Sequence, residues 1–156
     1  MRAPIRSSAF TKDAARSFGP PLIGALLRLP WEAVRRRILE RLRASGFGDF
    51  DQPHLTVFIY PGPQGRRPSE LAAHLGISKQ AANYLLGELE RLGYLERRAD
   101  PEDLRSKRIA LTRRGVSAGK VIREAVLELE HEWARKLGPR RFSQLRGLLR
   151  EVGESI

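Results

Sequence analysis

The residues best suited to do chemistry lie between Ser78 and Gly93. At about 100° per residue, Gln80, Asn83, Tyr84, Gly87 and Arg91 fall on one side of a helix, and Ala82, Leu85, Leu86, Leu89 and Leu92 fall on the other. The apolar side is a core stripe. The polar side carries amide, phenol and guanidinium groups, the types that hydrogen-bond base edges and phosphates in a major groove, with Lys79 on its flank near the helix N-terminus. Gly87 costs about 1 kcal/mol relative to alanine inside a helix. Either a neighbouring surface approaches closely there or the glycine is accidental. A second cationic set, Arg105, Lys107 and Arg108, follows in the polar stretch that begins at Ala99.

Catalytic chemistry finds less to work with. His54, His74 and His131 stand apart in the sequence, and with no cysteine there is no thiolate ligand, disulfide or thiol redox sensor. Glu128 and His131 make one Glu-x-x-His pair, where di-iron bundles need two such pairs and further glutamates, so a helical surface pair is the plainer reading. Gly115 to Lys120 imitates a phosphate loop but has three residues between its glycines and Val121 after the lysine. No catalytic residue, metal site or cofactor is expected, and the chain is not read as an enzyme.

The polar face needs elements to hold it. Ser78 is the N-cap of its helix and Gly93 closes it; Pro68 to Leu75, closed by Gly76, forms a short helix just before. Two short helices joined by a turn containing glycine make a helix-turn-helix. Tyr94 to Arg98 and Arg108 to Thr112 read as a hairpin, the second with strand alternation. Upstream, Pro20 to about Ser45 reads as one long helix kinked or broken at Pro30, and Asp51 caps a short helix over Pro53 to Tyr60 with Leu55, Phe58 and Ile59 inward. Pro61 to Gly65 is a loop. Downstream, Thr112 caps a helix ending near Leu137, and Gly138-Pro139 separates it from a last helix striped with Phe142, Leu145, Leu148, Leu149 and Val152. The fold class is mainly α with a small β-hairpin wing: a winged helix-turn-helix core between N- and C-terminal helices. Residues 1–156 are taken as a single domain.

Bulk properties agree. The 156 residues are 41% hydrophobic and 30% charged, a globular balance, and no stretch approaches the roughly 18 apolar residues of a membrane span. Met1 to Phe18 carries Arg2, Arg6, Lys12 and Arg16 without an apolar run, so residues 1–19 read as a flexible basic arm and a cytoplasmic location is expected. The net charge of +11 is spread along the chain. An anionic partner is plausible on that ground, although a solvated helical face would explain any one cluster such as Arg35-Arg36-Arg37.

Arg67-Pro68-Ser69-Glu70-Leu71-Ala72-Ala73-His74-Leu75-Gly76-Ile77-Ser78-Lys79-Gln80-Ala81, followed by Leu89-Glu90-Arg91-Leu92-Gly93-Tyr94-Leu95-Glu96-Arg97-Arg98, resembles the DNA-binding core of the MarR family of bacterial regulators. The wing is similar as well, with Asp103-x-Arg105 and a Leu-Thr-x-x-Gly ending at Leu111 to Gly115. Outside these roughly fifty residues the likeness is one of layout. The resemblance implies a homodimer held by residues 20–50 and 113–156, with 51–112 as the DNA-binding region. It also implies recognition helices in successive major grooves, wings at minor grooves and a pseudo-palindromic operator of double-stranded DNA. Arg105 would enter the minor groove, with Asp103 orienting it or its neighbours, and Ser69, Ser78, Arg97, Lys107 and Arg108 would meet phosphates. Repression is the default for a dimer that occludes a promoter, in a bacterial cytoplasm and on the nucleoid when bound.

Family members often release DNA when a small aromatic acid enters the cleft between dimerisation helices and winged core. Trp31, Phe47, Phe50 and Phe58 are the candidates to line such a pocket, against the simpler expectation that they fill core. The apolar stripes of the terminal helices exceed what a winged core needs, which independently favours a subunit interface. The rival class is a winged-helix module that binds a partner protein and never touches DNA. Such a module has no need of Arg105, Lys107 and Arg108 together with Lys79, Gln80 and Asn83.

Overall fold

A computed structural model describes residues 19–58, 65–101, 103 and 105–155. The basic arm up to Phe18, the inward position expected for Ile59 and most of the loop expected at Pro61 to Gly65 lie outside the described residues. The chain divides into two compact units, Met1–Ala33 and Val34–Ile156.

Helix α1 spans Ile23–Ala44 as one long helix that continues unbroken through Pro30, where a kink or a break is expected from the sequence. Proline there removes one backbone donor, and the neighbouring bonds carry the helix past it. In the first unit Leu22, Ile23, Leu26, Leu27, Leu29 and Trp31 are exposed. In the second unit the helix buries Ile38, Leu39 and Leu42.

Helix α2 (Gln52–Phe58) is capped in an unexpected sense: the Asp51 N–H donates to Nδ1 of His54 at 2.9 Å, so the histidine satisfies the entry from inside the first turn. Helix α3 (Pro68–Leu75) ends at Gly76 with φ 62°, a left-handed conformation that lets its N–H and that of Ile77 close on Ala73 and Ala72 carbonyls. Helix α4 (Lys79–Arg91) starts as expected, with Ser78 Oγ accepting the Ala81 N–H at 3.1 Å. Strands β1 (Leu95–Ala99) and β2 (Lys107–Leu111) pair antiparallel with Leu95 opposite Leu111 and Ala99 opposite Lys107. Arg66 adds a backbone bridge to Ile109, with bonds of 3.2 and 2.8 Å. A single bridged residue has no alternation for a sequence pattern to reveal. Helix α5 (Arg113–Leu137) opens on Thr112, whose Oγ accepts the Gly115 N–H, and α6 (Pro139–Glu154) follows Gly138.

One core serves the Val34–Ile156 unit. Ile38 and Leu42 of α1, Leu55, Val57 and Phe58 of α2, Leu71 of α3, Leu86 and Leu89 of α4, Leu95, Ile109 and Ile122 meet in it. Phe50, Phe58, His54 and Phe47 surround Tyr94 or one another with ring centroids 5.0–6.1 Å apart, mostly edge-to-face. Arg37 forks onto Glu132 at 2.8 and 3.1 Å and Arg41 reaches Glu128 at 3.1 Å. The two pairs step in opposite chain directions, so α5 runs antiparallel to the second half of α1. The apolar stripe of α6 buries only Phe142; Leu145, Leu148, Leu149 and Val152 stay exposed. No helix among the described residues is long and apolar enough to cross a membrane.

Candidate nucleic-acid interface

The division expected from the helical wheel is what α4 displays. Ala82, Leu86 and Leu89 are buried, while Lys79, Gln80, Asn83 and Tyr84 are exposed, Tyr84 at 68%. Burial of the apolar stripe fixes the rotation of the helix about its own axis, and that rotation decides which groups face out. Gly87 sits on this side, and a Cβ placed on it meets nothing within 4 Å. Arg91 is folded back on Glu88 at 3.1 Å. Ser69 and Ser78 are exposed at the starts of α3 and α4, where backbone N–H groups are oriented outward.

The wing tip is a tight turn. Asp103 Oδ1 accepts the Arg105 N–H at 3.1 Å, the Asp103 carbonyl accepts from Ser106, and the Asp100 N–H closes on the Ser106 carbonyl. Asp103 therefore shapes the backbone that carries Arg105. Arg105 and Lys107 are exposed, and within the described residues neither their side chains nor that of Lys79 form an ion pair with a carboxylate.

Other cations of the core are already engaged. Asp100, fully buried, receives Arg67 Nε at 2.6 Å, holds Arg108 Nε at 2.9 Å and lies 3.4 Å from Ser106 Oγ. That hydrogen bond and the carboxylate charge raise the Arg67 pKa further above its ordinary value. Arg97 is paired with Glu90 across the junction of α4 and β1 at 3.1 Å, and Arg98 with Glu96 on its own strand. Asp100 was not singled out from the sequence, where it reads as one more turn aspartate. Its signal was the pattern Arg67, Asp100, Arg108, legible only once β2 and the start of α3 are neighbours.

A third cluster joins α4 to α5. Tyr94 O–H donates to Asp49 Oδ1 at 2.5 Å, and Arg114 forks onto both Asp49 oxygens at 2.9 and 2.8 Å. Burial pushes the Tyr94 pKa up to about 12, reinforced by Asp49. Burial also works to raise Asp49, but the Tyr94 hydrogen bond and the Arg114 charge outweigh it and hold that carboxyl below its ordinary value.

Of the residues considered for an effector pocket, Phe50 and Phe58 are buried, Phe47 is partly buried against Tyr94, and Trp31 is half exposed within the first unit. A groove of about 460 Å³ opens beside Phe58 instead, lined by Leu111, Gly119, Ile122, Arg123, Val126, Leu127, Glu130 and Arg146. Among the described residues no three His, Asp or Glu side chains converge as metal ligands would, and Glu128 is occupied by Arg41.

Residues 57–106, from the end of α2 to the wing tip, match the MarR family model. The winged core is similar to that of the MarR family. Solved structures extend the likeness to the helices around it. A transcriptional regulator of Thermotoga maritima is 26% identical, covering 83% of this chain and 90% of its own, at a TM-score of 0.56. The apo form of MarR from E. coli is 23% identical over 85% of this chain and 98% of its own, at 0.67. The transcriptional repressor CouR, in a structure bound to a 23-mer DNA duplex, is 21% identical over 97% and 99%, at 0.64. No curated protein matches the chain. These likenesses show the fold; CouR and a MepR mutant with that fold were solved with DNA bound.

Proposed function

We propose that this MarR-type chain is a sequence-specific double-stranded DNA-binding regulator, a repressor acting as a homodimer on a pseudo-palindromic operator. The observation that carries the reading is the set of exposed donors on α4, Lys79, Gln80, Asn83 and Tyr84, next to a wing whose Arg105 and Lys107 side chains form no ion pair among the described residues. Gln80 and Asn83 have the bidentate amide that reads adenine, and they sit in the first turns of α4, where helix-turn-helix proteins meet base edges. Arg105 suits the negative potential of a narrow minor groove. Ser69, Ser78, Lys107, Arg97 and Arg108 are assigned to the phosphate backbone. Lys107 supplies charge there, since Arg97 and Arg108 already share theirs with Glu90 and Asp100.

Dimerisation is supported by the exposed row Leu145, Leu148, Leu149 and Val152 on α6 and by the apolar residues of the first half of α1. An effector reading is supported by the groove beside Phe58, where Arg123 flanks an apolar floor suited to a small aromatic acid and Arg146 is paired with Glu130 at 3.4 Å. Such a ligand would release DNA only through unequal affinity for the bound and free shapes. Of the phenylalanines first considered, Phe58 alone borders that space.

Gel shifts with the DNA upstream of the protein's own gene test the reading. Specific retardation that weakens steeply between 50 and 200 mM salt is expected, on the order of 10³-fold for six phosphate contacts. A protein that shifts specific and random DNA equally, or neither, is a protein-interaction module and the assignment falls. Adding aromatic carboxylic acids to the same assay tests release.

A further inference from the structure

The C-terminal end of α4 is fastened to the first turn of α5 by more bonds than its length requires. Thr112 Oγ donates to the Gly93 carbonyl at 2.6 Å, and the Thr112 N–H donates to the Tyr94 carbonyl at 3.1 Å. Gly115 lies so close beneath Tyr94 that any Cβ there would overlap the Tyr94 carbonyl oxygen. Arg114 spans the joint: Nη1 donates to the Leu92 carbonyl at 3.0 Å, Nη2 to Asp49 and to the Tyr94 hydroxyl at 3.2 Å, and its Cζ lies 4.5 Å over the Tyr94 ring. Asp49 belongs to the turn after α1, so three elements meet at one guanidinium.

We propose that Arg114 is a positioning residue for DNA reading: with Asp49 and Tyr94 it sets the angle at which α4 leaves α5, and thereby the half-site spacing the protein accepts. This rests on the DNA-binding dimer proposed above. The leverage is geometric. Helix α4 has 13 residues and is therefore about 20 Å long, with its reading end at Lys79, remote from the joint. A tilt of about 10° at the joint moves that end ~3.4 Å, one base-pair step along the duplex. Two copies related by a two-fold axis would shift in opposite senses, so a loose joint accepts several spacings and a rigid one accepts a single spacing. A joint made only of apolar contacts would restrain position but leave angle soft; a fork that bonds a carbonyl on one side and a carboxylate on the other restrains angle as well.

The test uses the full chain and duplexes that the wild type selects from a random-sequence pool, with their centres then lengthened or shortened by one base pair. Wild type should lose at least tenfold in affinity on either change. Arg114→Gln should bind the selected duplex at least tenfold more weakly than wild type and all three spacings within about threefold of one another, with affinity for random DNA and far-UV dichroism unchanged. Arg114→Lys, which keeps the charge and loses the fork, should behave like Arg114→Gln; if lysine restores discrimination, the residue acts as a charge and the joint is refuted. Should Arg114→Gln not fold, Tyr94→Phe removes the two hydroxyl bonds of the network, to Asp49 and from Arg114, while keeping the ring, and the same relaxation of spacing is expected. Retained tenfold discrimination, or equal weakening on selected and random DNA, overturns the proposal. A wild type that selects no duplex overturns the regulator reading itself, and the spacing role with it.

Discussion

The base of the wing and its tip carry similar side chains and use them in opposite ways. At the base, Arg67 and Arg108 close on a carboxylate with no exposed surface, and their charge is spent inside the fold. At the tip, the Arg105 and Lys107 side chains stand in solvent without an ion pair among the described residues, as that of Lys79 does on α4. Net charge therefore says little about where an anion would bind. What matters is which cations the chain has left uncompensated, and among the described residues Lys79, Arg105 and Lys107 are of that kind, Lys79 on the same helix as Gln80, Asn83 and Tyr84.

That contrast can be broken most forcefully at Asp100. Asp100→Ala leaves two guanidinium groups without their buried partner and is expected to cost about 3–5 kcal/mol, a fall in Tm of roughly 6–20 °C by calorimetry. A fall under 2 °C would mean that the base is no more committed than the tip. Alkaline titration probes the second compensated cluster. Tyr94 is kept neutral in the fold, its pKa raised to about 12 from 10.0, so the stability linked to it is complete below pH 10 and lost as pH rises towards 12. The loss should reach about 2–3 kcal/mol in denaturant midpoints, and Tyr94→Phe should abolish this dependence. Asp49 has the opposite sign: its lowered pKa stabilises the fold above the ordinary carboxylate range, and that part vanishes as pH falls through the folded value.

The open face should answer differently. Gly87→Ala should stabilise the free protein by about 1 kcal/mol, because the added Cβ meets nothing. If DNA binding weakens in the same variant, a duplex backbone or base approaches that point closely; unchanged binding would make the glycine accidental. Lys107→Ala should move stability by less than about 0.5 kcal/mol while reducing the salt slope of DNA binding by about one. A matching loss of stability would place Lys107 with the base and not the tip.

Much of this was legible in the order of residues. Ser78, Gly76 and Thr112 mark helix ends because capping is local chemistry, settled within four residues by a hydroxyl, a left-handed turn or a free N–H. The wheel from Lys79 to Arg91 foretold the buried and exposed sides of α4 because a helix has one period and the core takes the apolar side. Pro30 allowed either a kink or a break in one long helix, and the helix is unbroken, since a long helix tolerates one missing donor.

Sequence alone thus determined the elements, their facing and the candidate reading groups, all consequences of interactions between near neighbours. Only tertiary structure decided which charges are free. Arg67 and Asp100 are 33 residues apart, and Asp49 and Arg114 are 65 apart. Whether such charges meet depends on how α1, α3, β2 and α5 pack, and no periodicity or composition encodes that distance. The reason is physical: a carboxylate neutralises a guanidinium through contact in space, and contact across the chain is what the packed core supplies.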